Sequence, residues 1–89
     1  MWSVRLDKKA RKDLERLDRS VQIRIIDFLE GRVAASHNPR KLGKVLKGKT
    51  FGEHIRFRMG NYRLICDIQD HEITVLVLRI GHCKEVYRG

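Results

Sequence analysis

The stretch His54-Ile55-Arg56-Phe57-Arg58-Met59-Gly60-Asn61-Tyr62-Arg63-Leu64-Ile65-Cys66 decides how this chain folds. His54, Arg56 and Arg58 alternate with Ile55, Phe57 and Met59. A period of two belongs to an extended strand, with cations on one face and apolar groups on the other. Gly60-Asn61 supplies a two-residue joint able to reach φ > 0, the usual turn of a tight hairpin. On the return, Tyr62, Leu64, Cys66 and Ile68 share one face, while Arg63, Ile65 and Asp67 share the other. With Tyr62's face in the core, Arg63 joins His54, Arg56 and Arg58 on the opposite side. Crowding of like charge costs stability, and a polyanion is the partner that relieves it.

A chain of 89 residues is one domain, residues 1–89, that buries about 60–65% of its unfolded surface. No apolar run approaches the roughly 18 residues of a membrane span. The start, Met1-Trp2-Ser3-Val4-Arg5, lacks a signal-peptide pattern, so a cytoplasmic protein without membrane contact is expected. Cys66 and Cys83 have no metal-ligand spacing, and that compartment disfavours a disulfide between them. Twenty Lys and Arg against eleven Asp and Glu leave a net charge of +9. An excess of this kind suits nucleic acid, an acidic protein or anionic lipid. No segment has a membrane-type amphipathic pattern, and Tyr62 and Tyr87 lie beside cations as base stacking requires, so nucleic acid leads.

Working outward, Trp2, Val4 and Leu6 form a short opening strand. Asp7 caps a helix whose apolar positions are Ala10, Leu14 and Leu17. Ser20 can cap a second helix with a stripe of Val21, Ile25, Phe28, Leu29 and Val33, widened by Ile23 and Ile26 and ended by Ser36-His37-Asn38-Pro39. From Arg40 to Lys49 five cations (Arg40, Lys41, Lys44, Lys47, Lys49) occur with no acidic residue. This segment is either a solvated connecting loop or an electrostatic rim for phosphates. After the hairpin of Phe51–Arg58 and Tyr62–Gln69, Asp70-His71-Glu72 turns the chain. Ile73–Ile80 is apolar on both faces and rich in β-branched residues, as a central strand is, and Gly81 stops it. His82–Gly89 is a last turn or a tail crossing the sheet. The expectation is an α+β fold in the order β-α-α-β-β-β, with a two-helix hairpin on a curved, mostly antiparallel four-stranded sheet.

Leu46-Lys47-Gly48, then Ile55 to Ile65, then Leu78-Arg79-Ile80-Gly81-His82 and Glu85-Val86-Tyr87-Arg88 together resemble the RelE family of toxins from toxin–antitoxin systems. The likeness runs from the first strand to the last residue. It implies a small basic toxin that enters the 30S A site of the ribosome against 16S rRNA and cleaves the mRNA there. Its implied partner in silencing is a RelB-like antitoxin. No cofactor or metal is implied, because the RNA's own 2′-hydroxyl is the nucleophile. The protein must then take the 2′ proton, stabilise the phosphorane and protonate the leaving oxygen.

Carried over by position, Arg63 is the family's arginine that stabilises the transition state. Arg56 falls where well-known members have a lysine proposed as general base, yet an arginine keeps its proton at any working pH. His54 matches a second family lysine and is either a base, since imidazole titrates near neutrality, or an antitoxin contact. Tyr87 matches the tyrosine that stacks on the substrate base. RNA contacts are expected at Arg58, Lys44, Lys47, Lys49, Arg79, His82 and Lys84, with Arg58 either positioning or structural. The departure is Cys83, where the family usually carries an arginine that supports leaving-group protonation. Cysteine has neither that charge nor the fork of donors, which implies an attenuated enzyme. Two other readings stand beside the nuclease: a ParE-like gyrase inhibitor, and an inert module that still binds antitoxin.

Overall fold

The computed structural model describes residues 1–47 and 53–83. Strand β1 (Ser3–Leu6) leads through Asp7 into helix α1 (Lys8–Glu15), and the Asp7 carboxylate accepts from the Lys9 backbone N–H at 3.4 Å. Helix α2 (Arg19–Phe28) begins after Asp18 rather than Ser20, and it continues as a π-helical turn over Leu29–Val33. A short 3₁₀ turn (Pro39–Leu42) precedes β2 (Lys44–Lys47), β3 (Glu53–Met59) and β4 (Tyr62–Gln69). A second 3₁₀ turn (Asp70–Glu72) leads to β5 (Thr74–His82). These two turns are joined by Arg40, whose guanidinium grips both Asp70 oxygens at 2.9 and 2.7 Å.

The sheet has five strands in the order β1-β5-β4-β3-β2, not four. The added strand is β2, inside the segment read as a cationic loop. Its alternation is real, with Val45 opposite Ile55 and Lys44 opposite Arg56, but the density of lysine and glycine masked it. All neighbours run antiparallel except β1 and β5, which are parallel. As its two apolar faces imply, β5 is paired on both sides. Gly81 does not stop it, because the ladder carries on through Arg63–Gly81 and Tyr62–His82.

One face of the sheet is covered. Ile55, Phe57, Leu64, Cys66, Ile68, Val75, Val77 and Ile80 pack against Ala10, Ile25, Leu29 and Val33. Phe28 meets Phe57 edge to face at 5.9 Å. The stripe read along α2 is therefore the one that buries, while Ile23 stays exposed. Burial pushes the Cys66 thiol well above its ordinary range, helped by the Asp67 charge, so this cysteine is inert packing.

Gly43 fixes where β2 meets β3. A Cβ there would lie 2.6 Å from the Arg56 carbonyl oxygen and 2.7 Å from the Ile55 side chain, too close for either to remain. Gly43→Ala is expected to destabilise the fold by ~1–3 kcal/mol. Gly31→Ala, where a Cβ meets nothing within 4 Å, should be neutral or slightly stabilising. Chemical denaturation of the two variants measures this, and equal midpoints would refute the tight contact.

Candidate functional site

Register builds the site. Cross-strand partners in an antiparallel ladder share a face, with Cβ atoms about 4.5–5.5 Å apart. Arg58 stands opposite Arg63, Arg56 opposite Ile65, and His54 opposite Asp67. Ile55 and Phe57 are fully buried under the helices, so the residues alternating with them lie on the other side of the sheet. Arg56 is thus the diagonal neighbour of Arg63, about 7–8 Å away. Strand β2 sets Lys44 beside Arg56 and Leu46 beside His54. Strand β5 sets Gly81 beside Arg63 and Leu76 beside Asp67. Lys44, His54, Arg56, Arg58 and Arg63 therefore form one cationic field on the face away from the helices.

The members of that field differ in exposure. Arg63 is only 7% exposed, rare for an arginine, and its cross-strand partner Gly81 offers no side chain to compete for space. Arg56 is half-buried, and its Nε is buried with no hydrogen-bond partner among the described residues. A buried N–H without an acceptor costs roughly 1–3 kcal/mol, and a phosphate oxygen is an acceptor of the fitting charge. Arg58 is exposed, and its Nε donates to the Gly60 carbonyl at 3.3 Å. It thereby braces the hairpin turn, where Gly60 has φ of 60°.

Other expected contacts lie elsewhere. Arg79 is held by Asp13 of α1, Nε to Oδ2 at 2.8 Å, and the same oxygen accepts the Ile80 N–H at 3.0 Å. The register of β4 and β5 slips at Ile65/Cys66, which leaves Leu78 as an extra residue, and Asp13 clamps the strand just beyond it. Arg79 is therefore engaged within the chain, with its side chain still 58% exposed. His82 pairs with Tyr62, on the face opposite Arg63, and meets the tyrosine ring edge to face at 5.6 Å. The structure does not bring it to the cationic field. Lys47 ends β2 opposite Glu53. Lys49, Lys84 and Tyr87 lie outside the described residues. Cys83 is half-buried, and its N–H donates to the Asn61 carbonyl at 2.8 Å, two residues past the Arg63–Gly81 pair. Among the described residues no three His, Cys, Asp or Glu side chains are grouped to hold a metal ion.

The Asp13 clamp carries a pH signature. Burial alone would raise the Asp13 carboxyl, but the Arg79 hydrogen bond, the Ile80 N–H and the charges of Arg79 and Arg16 outweigh it and hold it below its ordinary value. A lowered folded value means the carboxyl contributes stability in full above the unfolded value of 3.8, and loses it as pH falls below. Asp13→Asn is expected to lower stability by about 1–2 kcal/mol at pH 7. The gap from the parent should shrink toward pH 2–3 in denaturation curves, and a constant gap would contradict the clamp.

Sequence reading passed over one member of the face, Asp67. Alternation had already set it beside Arg63 and Ile65. Its opposition to His54 became visible only once the hairpin register was fixed.

A helical layer on one face of a mostly antiparallel sheet, with cations gathered on the other, is the frame these residues build. Residues 4–87 match the family model described as the ParE toxin of the type II toxin–antitoxin system parDE. Over 87 residues the chain is 33% identical to Toxin RelG of Mycobacterium tuberculosis, covering 98% of this chain and 97% of that one. Its fold is similar to a chain in the crystal structure of the RelBE2 toxin–antitoxin complex from Mycobacterium tuberculosis, with a TM-score of 0.81 and 32% identity, covering 91% of this chain and 96% of that one. The RelB–RelE antitoxin–toxin complex of Methanococcus jannaschii shares the fold at 24% identity and a TM-score of 0.69, covering 94% and 95% of the two chains. The chain belongs to the RelE/ParE family and is a RelE-like toxin of a type II toxin–antitoxin system.

Proposed function

We propose that this toxin is a ribosome-dependent mRNA endoribonuclease, held silent by a RelB-like antitoxin. The observation that supports this reading most is the placement of Arg63 and Arg56 on one face of adjacent strands, with Lys44 and Arg58 at their sides. Guanidinium groups so placed can bracket one phosphate and take up the charge that grows on it as the 2′-oxygen attacks. Arg63 stabilises the phosphorane and Arg56 neutralises the phosphate. His54 is the field's candidate proton acceptor, since an imidazole nitrogen can accept where a guanidinium cannot. Tyr87 stacks on the substrate base, and mRNA and 16S rRNA in the 30S A site supply the polyanion that relieves the charge crowding. The antitoxin partner is supported by relatives whose structures are RelB–RelE complexes.

Induction in a bacterial host followed by primer extension on an abundant mRNA tests the reading. Cuts at in-frame codon positions are expected, and their absence would refute it. Because the matching family model is described for ParE toxins, gyrase inhibition is the second reading. A supercoiling assay beside a cell-free translation assay separates the two.

A further inference from the structure

We propose that Asp67 is a positioning residue that pairs with His54 to make the site's general base; this rests on the ribonuclease reading above. His54 and Asp67 are direct cross-strand partners, and both are half-buried on the cationic face. Their row runs Leu46–His54–Asp67–Leu76, so a leucine stands beside each outer flank. Apolar neighbours thin the water around the pair, and a carboxylate–imidazole contact strengthens there. The described groups at the diagonal positions are Arg56, Ile65 and Gln69, with Lys44 one strand further out. Asp67 is the single carboxylate among the described residues that the register sets beside this imidazole.

Arg56 stands one row along the strands from His54, a step of about 6.6 Å, and Arg63 a second row beyond, so a phosphate held on the Arg56 side of the pair lies nearest the imidazole. The 2′-hydroxyl of the same nucleotide projects from that phosphate and falls within the reach of the imidazole. In the step, one His54 ring nitrogen accepts the 2′-hydroxyl proton as the 2′-oxygen bonds to phosphorus and the bond from phosphorus to the 5′-oxygen breaks. Water protonates the departing 5′-oxygen. The hydroxide so formed takes the imidazolium proton, which restores His54 with no net change in protons. Asp67 accepts a hydrogen bond from the other ring nitrogen, selects the tautomer and balances the imidazolium while it lasts. Arg56, which cannot act as a base, is left to hold the phosphate.

The rival role for Asp67 is to neutralise its diagonal neighbour Arg56. Single-turnover cleavage on ribosomes programmed with a defined mRNA separates the two roles. His54→Gln should slow cutting ~100-fold and Asp67→Asn ~10-fold or more, and the double variant should be no slower than His54→Gln within about twofold, as groups acting as a unit behave. Losses that multiply in the double variant, or an unchanged rate in Asp67→Asn, would overturn the pairing. A second arm does not need activity: ¹⁵N NMR of the free chain reads the ring tautomer of His54. Asp67→Asn should redistribute that tautomer and leave His37 and His71 as they were; no change at His54 overturns the proposal. If the parent chain makes no A-site cuts while the tautomer responds, the ribonuclease reading fails and the His54–Asp67 contact stands.

Discussion

On programmed ribosomes the Arg63→Ala chain is expected to cut mRNA at least ~100-fold more slowly than the parent, the loss that follows removal of a main transition-state donor. The expected loss is large because Arg63 is fixed: it is 7% exposed, braced between β3 and β5, and faces a partner residue with no side chain. A donor held in place before the reaction spends no energy on reorganising during it. Arg63→Lys should recover only part of the rate, since a lysine brings the charge without the planar fork. Arg58→Ala should cost less than ~10-fold, because that side chain ties down the turn at Gly60. Arg63 is buried and engaged, so the melting temperature of the Ala variant is read beside its cutting rate. An inactive but undiminished fold assigns the loss to chemistry. Cuts that persist at the parent rate in Arg63→Ala would remove the proposed site altogether.

The second large effect runs the other way. Cys83→Arg is expected to raise cleavage ~10-fold or more and to deepen growth arrest on induction. Cys83 sits just past the end of β5, anchored by its N–H to the Asn61 carbonyl and two residues beyond Gly81. A guanidinium at that place joins the Arg63 field and can carry charge toward the leaving oxygen, which a thiol cannot. The cost is one more cation among several, so a small fall in melting temperature should accompany the gain. Growth curves with inducible expression, read beside the in vitro rate, decide it. If the arginine variant is no more active than the cysteine parent, attenuation at this position is wrong.

Much of this was legible in the chain because the hairpin announces itself. Period-two alternation over His54–Met59, a Gly-Asn turn and a matched return strand fix the faces of both strands. The faces in turn place Arg56 and Arg63 together. The apolar run from Thr74 to Ile80 likewise marks a strand paired on both sides. What stayed hidden depends on partners distant in sequence. The strand at Lys44–Lys47 is short, and its lysines resemble those of a solvated loop until β3 is set beside it. Arg79 looks like any strand-end cation, and only the fold brings Asp13 of α1 within 2.8 Å of it. The slip at Ile65/Cys66 shifts the alternation of β5, so that counting residues along the strand misjudges the side on which its end lies. His54 opposite Asp67 is a register fact, which composition and spacing do not contain.

The pairing of β1 with β5 bears on the order in which the sheet can assemble. Ser3 bonds to Ile73, and Val4 lies beside Val75, so the earliest strand waits for a segment made some seventy residues later. Closing a loop that long is entropically slow, whereas β4 and β5, which set Gly81 beside Arg63, are neighbours in sequence and can pair without β1. The edge strand β1 thus depends on the whole stretch of chain between, while the cationic face is built from strands that follow one another.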